Sequence, residues 1–255
     1  MGLRRLARRL LLGVGAAVLL WGAHSAPASA AGCRREIFEG GGYIVCRVDL
    51  QADDLRLFHS GADGRPYRSF RRLRDALDGE GLSLVFAMNA GMFHRDLEPV
   101  GLYVENGVER MRLVTAEGPG NFHMMPNGVF YVEDGRAHVV TTEAYAAAAP
   151  TPELATQSGP MLVIDGALHP RFIPGSDFRE YRNGVGVVDE QTVVFAISEG
   201  YVNFHDFARF FRDHLGAANA LYLDGSISSL YAPDAERADW FYSMGPIVGV
   251  VVPKP

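Results

Sequence analysis

Ala220-Leu221-Tyr222-Leu223-Asp224-Gly225-Ser226-Ile227-Ser228-Ser229 is the stretch on which the fold and function of this 255-residue chain turn. Its first four residues are apolar-rich and read as a core strand. A carboxylate, a glycine joint and three hydroxyls follow directly at the strand's mouth, which is how a rigid scaffold presents polar chemistry. An isolated Asp-Gly is otherwise a common hairpin signal, so the reading depends on the surroundings.

Those surroundings are sheet-like. Residues 184–188 and 192–198 form a strand pair around Asp189-Glu190. A helix then opens at Asn203, with Asp206 three residues on, an apolar stripe of Phe204, Phe207, Phe211 and Leu215, and Gly216 as its stop. Asn-Gly or Asp-Gly recurs at 63–64, 78–79, 106–107, 127–128, 134–135, 165–166, 183–184 and 224–225, which predicts a sheet-rich domain with tight reversals. Strands are expected over 100–105 and 108–114, 128–132 and 136–141, and 160–164 and 167–169. A second helix is expected over 66–77, where Phe70, Leu73 and Leu77 keep helical spacing, and a short one with a connector over 145–153. The fold class is α+β, a mixed or antiparallel sheet core with few flanking helices.

The first thirty residues read as an export signal. Arg4, Arg5, Arg8 and Arg9 make a basic start, an apolar run follows to Trp21, and Ala28-Ser29-Ala30 suits signal peptidase, with cleavage expected after Ala30. The apolar run is short for a membrane span, and Ala30-Ala31-Gly32-Cys33 lacks the aliphatic residue that opens a lipobox. The expected product is one domain over residues 31–255, secreted or periplasmic and not inserted in the membrane. Loss of the four leader arginines moves the formal charge from −6 to −10, which argues against a nucleic-acid partner. Lys254 is the only lysine, so Ser-Lys or Schiff-base catalysis is excluded and cationic work falls to arginine. Cys33 and Cys46, the only cysteines, are expected to pair in an oxidising compartment. The closed loop is worth about 3 kcal/mol if unstrained. Two free thiols are the alternative, and the spacing excludes a Cys-x-x-Cys element.

Several catalytic signatures are absent: the Gly-x-Ser-x-Gly elbow, the His-Glu-x-x-His zinc helix, the phosphate loop and the dinucleotide fingerprint. What remains is a set of polar residues at strand ends. Asn89 follows the apolar run 84–88 and begins Asn89-Ala90-Gly91-Met92-Phe93, where small residues admit a ligand close to the backbone. Gln157-Ser158-Gly159-Pro160 enters the next strand, Arg182 precedes 184–188, and Ser198-Glu199-Gly200 closes 192–198. Each taken alone has an ordinary structural explanation as a turn, a local hydrogen bond or a surface ion pair.

Taken in order, these segments resemble the phosphodiester glycosidase family over roughly residues 33–252. The resemblance is carried by Asn89 to Phe93, Gly159-Pro160, Arg182 with Gly186, the helix from Asn203, and the Leu223 to Ser229 ending. The Cys33 and Cys46 start, with Pro126-Asn127-Gly128-Val129-Phe130, is similar to the family's bacterial envelope branch. Ala90, Met92 and Ser226-Ile227 stand where the family more usually has Gly, Phe and two glycines, which narrows the room for a ligand.

The resemblance implies cleavage of a sugar 1-phosphodiester or an envelope glycan substrate. Phosphate leaves as an anion with little need of protonation, so the site requires anion donors and a carboxylate more than a strong general acid. On that chemistry Asp224, Glu199 and Arg182 are the expected catalytic residues, with Arg182 as a bidentate clamp on phosphate. Asn89, Gly91, Ser158, Gly159, Gly225, Ser228 and Ser229 are the expected substrate contacts. No cofactor is expected; a divalent ion is compatible with the chemistry, but these residues form no diagnostic metal pattern. The rival readings are a non-catalytic envelope glycan- or phosphopolymer-binding protein, a structural part of an export assembly, and a phosphodiesterase that cuts phosphorus–oxygen.

Overall fold

The computed structural model describes residues 31–225 and 227–254. The export signal expected over residues 1–30 lies outside the described residues. Strands β1 (Gly32–Phe38) and β2 (Gly41–Asp49) form a hairpin, and the Cys33–Cys46 disulfide expected from the sequence joins them at directly opposed positions. After β3 (Asp54–Phe58) come helix α1 (Phe70–Gly79) and β4 (Leu82–Asn89). Then follow β5 (Tyr103–Glu105), β6 (Val108–Met111), β7 (Gly128–Glu133), β8 (Arg136–Thr141), α2 (Thr142–Ala148) and β9 (Leu154–Ser158). The rest comprises β10 (Met161–Ile164), β11 (Ala167–Leu168), β12 (Asn183–Val187), β13 (Thr192–Ser198), α3 (Phe204–Arg209), β14 (Asn219–Asp224), β15 (Leu230–Ala232), β16 (Arg237–Ala238) and β17 (Ile247–Pro253).

These strands build three sheets, ordered β1-β2-β13-β12-β14-β10-β11, β16-β15-β4-β17-β3 and β6-β5-β9-β7-β8. The pairings are antiparallel, so the α+β expectation holds in its antiparallel form. The three sheets meet on one apolar core. Phe195 of β13 stands at the junction, its ring 5.8 Å from Phe86 of β4 and 5.8 Å from Phe130 of β7. Period-two alternation makes β13 two-faced: Val193, Phe195 and Ile197 enter that core, while Val194 and Ala196 meet the aromatic side of α3. Strand β13 is therefore buried on both faces, which explains its unbroken apolar sequence.

Several sequence expectations shift on inspection. The helix expected over 66–77 begins four residues later, because 66–68 are tied out of the helix: Tyr67 N donates to His59 O, and Arg68, at φ 65°, bridges Met244. Ser69 then caps it, accepting from the Arg72 amide at 3.3 Å. The short helix expected over 145–153 covers Thr142–Ala148 instead, capped by Thr141 and closed by Ala149 in the left-handed region. Helix α3 opens as expected, with Asn203 Oδ1 accepting from the Asp206 amide at 2.8 Å, but it widens into a π turn over Phe210–His214 where Leu215 N reaches Phe210 O. The wider turn lets adjacent Phe210 and Phe211 bury together: Phe210 stacks on Tyr43 at 3.8 Å, and Phe211 fills the space that a Cβ on Gly186 would occupy.

Five of the eight Asn-Gly and Asp-Gly pairs fall into two groups. At 106–107, 134–135 and 165–166 both residues take positive φ and turn hairpins, as expected. At 127–128 and 183–184 they turn nothing; each opens a strand, and the asparagine side chain is buried in tertiary hydrogen bonds.

Candidate active site

Strands β4, β9, β13 and β14 end, and β12 begins, around one polar cluster. Antiparallel pairing sets Asn183 of β12 opposite Asp224 of β14 on one side and Ile197 of β13 on the other. Asn183 Nδ2 donates across the sheets to the backbone carbonyl of Asn89 at 2.9 Å and to its side-chain oxygen at 3.1 Å. The same Asn89 Oδ1 accepts from the Ser229 amide at 2.9 Å. Ser228 donates its hydroxyl to Asp224 O at 3.0 Å and lies 3.3 Å from Asn183 Oδ1. Ser158 completes the buried side by donating to Leu223 O at 2.9 Å. Asn89, Asp224, Ser228 and Ser229 are thus joined through Asn183 in one hydrogen-bond network, with Ser158 bonded to the carbonyl just before Asp224.

The glycines expected beside a ligand have identifiable reasons to be glycine. Gly91 takes φ 149°, and a Cβ there would lie 3.1 Å from the Thr156 hydroxyl. A Cβ on Gly225 would lie 2.5 Å from the Tyr222 hydroxyl. Gly159 abuts Asn127 in the same way, and like Ser158 it sits behind the network and away from solvent.

Asp224 is the electrostatic centre. The residue is 9% exposed, Oδ1 accepts from the Gly225 amide at 2.6 Å, and Oδ2 is buried with no hydrogen-bond partner; Nδ2 of Asn89 is likewise buried and unpartnered. Burial raises the Asp224 pKa to about 7, against the opposing pull of the Gly225 amide and the nearby Asn89 amide. A carboxyl held above its ordinary range favours the protonated form more than a free aspartate does.

The other two expected catalytic residues sit differently. Glu199 lies at the rim, paired with Arg35 of β1 at 3.0 Å, and its amide donates to Gly42 O. It lines two adjoining clefts. One, about 480 Å³, runs over Ser228 and Ser229 past Tyr181, Arg237 and Phe241; the other, about 510 Å³, lies against the β1–β2 turn and Arg179. Arg182 is fully buried and lines neither cleft. Its Nε donates to Val202 O at 2.8 Å, Nη2 to Phe178 O at 3.4 Å, and the guanidinium lies 3.6 Å over the Phe204 ring. Nη1 is unpartnered, and burial holds its pKa below the ordinary guanidinium range, with the Tyr222 hydroxyl opposing. A cation among aromatic faces is stabilised without a carboxylate.

Sequence reasoning missed Asn183, the residue that ties the sheets together at this point. Its Asn-Gly pair reads as a turn, and only the pairing with Asp224 reveals it. Tyr181, Arg237, Asp239, Phe241 and Tyr242 were missed as well, although Trp240-Phe241-Tyr242 is an unusual aromatic run directly after an acidic residue. Among the described residues, no three His, Cys, Asp or Glu side chains are gathered to hold a metal ion.

Comparison with known proteins adds the following. A family model described as phosphodiester glycosidase matches residues 83–240. The protein YigE of Escherichia coli (strain K12), itself uncharacterized, is 35% identical over 184 residues, 72% of either chain. Among solved structures, the catalytic domain of zebrafish N-acetylglucosamine-1-phosphodiester alpha-N-acetylglucosaminidase, auto-inhibited by its pro-peptide, superposes with a TM-score of 0.59 at 12% identity, covering 90% of this chain and 84% of that one. A protein of Burkholderia pseudomallei K96243 described as exported gives 0.55 at 12% identity, covering 82% and 74%. At these identities the two structures establish a shared fold.

Proposed function

The chain belongs to the phosphodiester glycosidase family, and from that premise we propose that it hydrolyses the glycosidic bond of a sugar 1-phosphodiester outside the cytoplasm, releasing the sugar and a phosphomonoester. The observation that carries the reading is Asp224: a buried carboxyl with its pKa raised to about 7 and one unpartnered oxygen, set behind Ser228, which hydrogen-bonds the Asp224 carbonyl and lines the cleft together with Ser229.

In this reading water attacks the anomeric carbon and Asp224 takes its proton. The bond between that carbon and the phosphate oxygen breaks, and its electron pair leaves on the phosphate. Ser228 and Ser229 face the same cleft and supply hydroxyls to the substrate, with Arg237 as the cation lining it. Glu199, the second carboxylate, stands over the developing positive charge of the sugar, held in place by Arg35. Arg182 was expected to grip phosphate directly. Because it is enclosed by Phe178, Phe204 and Tyr222, we assign it to holding the 198–202 loop and the Tyr222 ring under Gly225, and the phosphate contact to Arg237. Location outside the cytoplasm is supported by the Cys33–Cys46 disulfide and by the export-like leader sequence.

Oxygen-18 water tests the bond assignment. Hydrolysis of an N-acetylglucosamine 1-phosphodiester should label the freed sugar, analysed before its anomeric oxygen exchanges, and leave the phosphate unlabelled. Label in the phosphate would make the chain a phosphodiesterase, and binding without turnover across a broad substrate panel would make it a binding protein.

A further inference from the structure

Phe241 and Tyr242 wall two spaces at once. On one side is the cleft over Ser228 and Ser229; on the other is a cavity of about 380 Å³ lined by Arg68, Arg72, Trp240 and Ser243 as well as the same two aromatics. Arg68 and Arg72 are exposed, and neither side chain has an ion-pair or hydrogen-bond partner among the described residues. They belong to a local basic concentration, with arginine at 65, 68, 71, 72 and 74 in a chain of net charge −6. The wall between the two spaces is attached to the arginines, since Met244 N donates to Arg68 O at 3.1 Å, just beyond the aromatic run. Trp240 and Phe241 stack at 4.2 Å while remaining 76% and 71% exposed. Such a surface in an otherwise polar rim marks a contact site. Flat aromatic faces also suit the C–H faces of sugar rings.

We propose that Arg68 and Arg72 form a subsite for a second phosphate of the substrate, so that the substrate is a glycan bearing phosphodiesters on more than one sugar. The proposal rests on the reading that the cleft beside Asp224 receives a sugar phosphodiester. The reacting phosphate lies in that cleft, the chain crosses the Trp240–Tyr242 ridge, and the next phosphate meets two guanidinium forks with no competing carboxylate. Local positive charge on an acidic protein also steers an anionic polymer toward this end of the groove. The residues lining the cavity lie outside the family-matched segment 83–240, apart from Trp240, so the subsite is a feature of this chain beyond what the family match covers.

Two synthetic ligands test it by calorimetry: the methyl phosphodiester of N-acetylglucosamine 1-phosphate, and the same unit extended by one further sugar and phosphodiester. Binding is measured in an Asp224→Asn background so that neither is consumed. The longer ligand should bind about ten-fold tighter than the shorter one. In Arg68→Asn/Arg72→Gln, where Asn tolerates the positive φ of residue 68, that ratio should fall to about one. Arg65→Gln/Arg71→Gln, an equal loss of two charges from the same basic segment but outside the cavity, should keep the ratio. The proposal is overturned if the longer ligand has no advantage, if Arg68→Asn/Arg72→Gln keeps it, or if Arg65→Gln/Arg71→Gln loses it as well. Turnover of the short ligand by the unmodified chain is scored separately. No turnover with an arginine-dependent ratio retains the subsite and removes the hydrolase reading, whereas turnover without the ratio removes the subsite alone.

Discussion

Replacing Asp224 by Asn should disable the protein and stabilise it at alkaline pH. The folded-state pKa of Asp224 is about 7 against a reference value of 3.8. Between those values the folded chain holds a proton that the unfolded chain has released, so stability contributed by this group is complete below pH 3.8 and declines as pH rises, levelling off above pH 7. Each pKa unit corresponds to about 1.4 kcal/mol, so the full decline is on the order of 4 kcal/mol, the greater part of it above pH 5. Between pH 5 and pH 8.5 the native protein should therefore lose roughly 3 kcal/mol that Asp224→Asn does not lose. Other titrating groups cancel in the comparison, and so does any fixed effect of placing an amide beside Asn89. Urea unfolding of both proteins at the two pH values measures the double difference, with equal denaturant slopes as the check that the unfolding reaction is unchanged. Activity of the variant should fall by about a hundredfold or more. A stability difference that does not change with pH would show that Asp224 is ionised and solvated in the folded protein, and the acid–base role would fall with it.

The rate of sugar release should rise with pH through about 7, since the ionised Asp224 is the base; a profile flat from pH 5 to 9 would exclude that role. Gly225→Ala should cost about 1 to 3 kcal/mol through the clash with the Tyr222 hydroxyl, and adding Tyr222→Phe should recover part of it, which thermal unfolding of the single and double variants will show. Phe210→Ala should cost about 3 to 5 kcal/mol by removing a fully buried ring stacked on Tyr43, with specific activity per folded molecule retained. Intact mass before and after reduction and alkylation should show Cys33 and Cys46 joined in exported material, and reduction should lower stability by about 3 kcal/mol; two alkylatable thiols without reduction would contradict this.

What was legible in the sequence had local causes. Asn203 and Asp206 announce the start of α3, paired positive-φ residues turn the hairpins at 106–107, 134–135 and 165–166, and the two-sided burial of β13 is written in its unbroken apolar run. The failures arose where tertiary contacts override local preference. Pro66 was available to start a helix, but 66–68 are held by His59 and Met244, which are distant in sequence or on the far side of a turn. Asn183-Gly184 has the composition of a reversal, yet Asn183 is held in a strand by Asn89, a residue 94 positions earlier. Arg182 shows the same limit for chemistry. An arginine at a strand entrance suggests an anion clamp, and nothing in the neighbouring sequence reveals that Phe178, Phe204 and Tyr222 enclose it.

The placement of Arg182 also explains how a carboxyl with a raised pKa is kept where it is. Burial disfavours the charged form of Asp224, and a cation in direct contact would cancel that effect by pairing with it. Arg182 is the fully buried cation among the described residues, but its donors face the carbonyls of Val202 and Phe178, its plane lies on Phe204, and the Tyr222 ring it also faces carries the hydroxyl that abuts Gly225. The guanidinium thus fixes the loops and ring that shape the turn while its charge is held off the carboxyl. Arg182→Met, which keeps bulk but removes the donors, should therefore loosen the 198–202 loop and lower kcat. The apparent pKa of the pH profile should stay near 7, because Asp224 would still be buried and still lack a cationic partner. A profile shifted up by a full unit or more would mean that Arg182 acts on Asp224 directly through its charge.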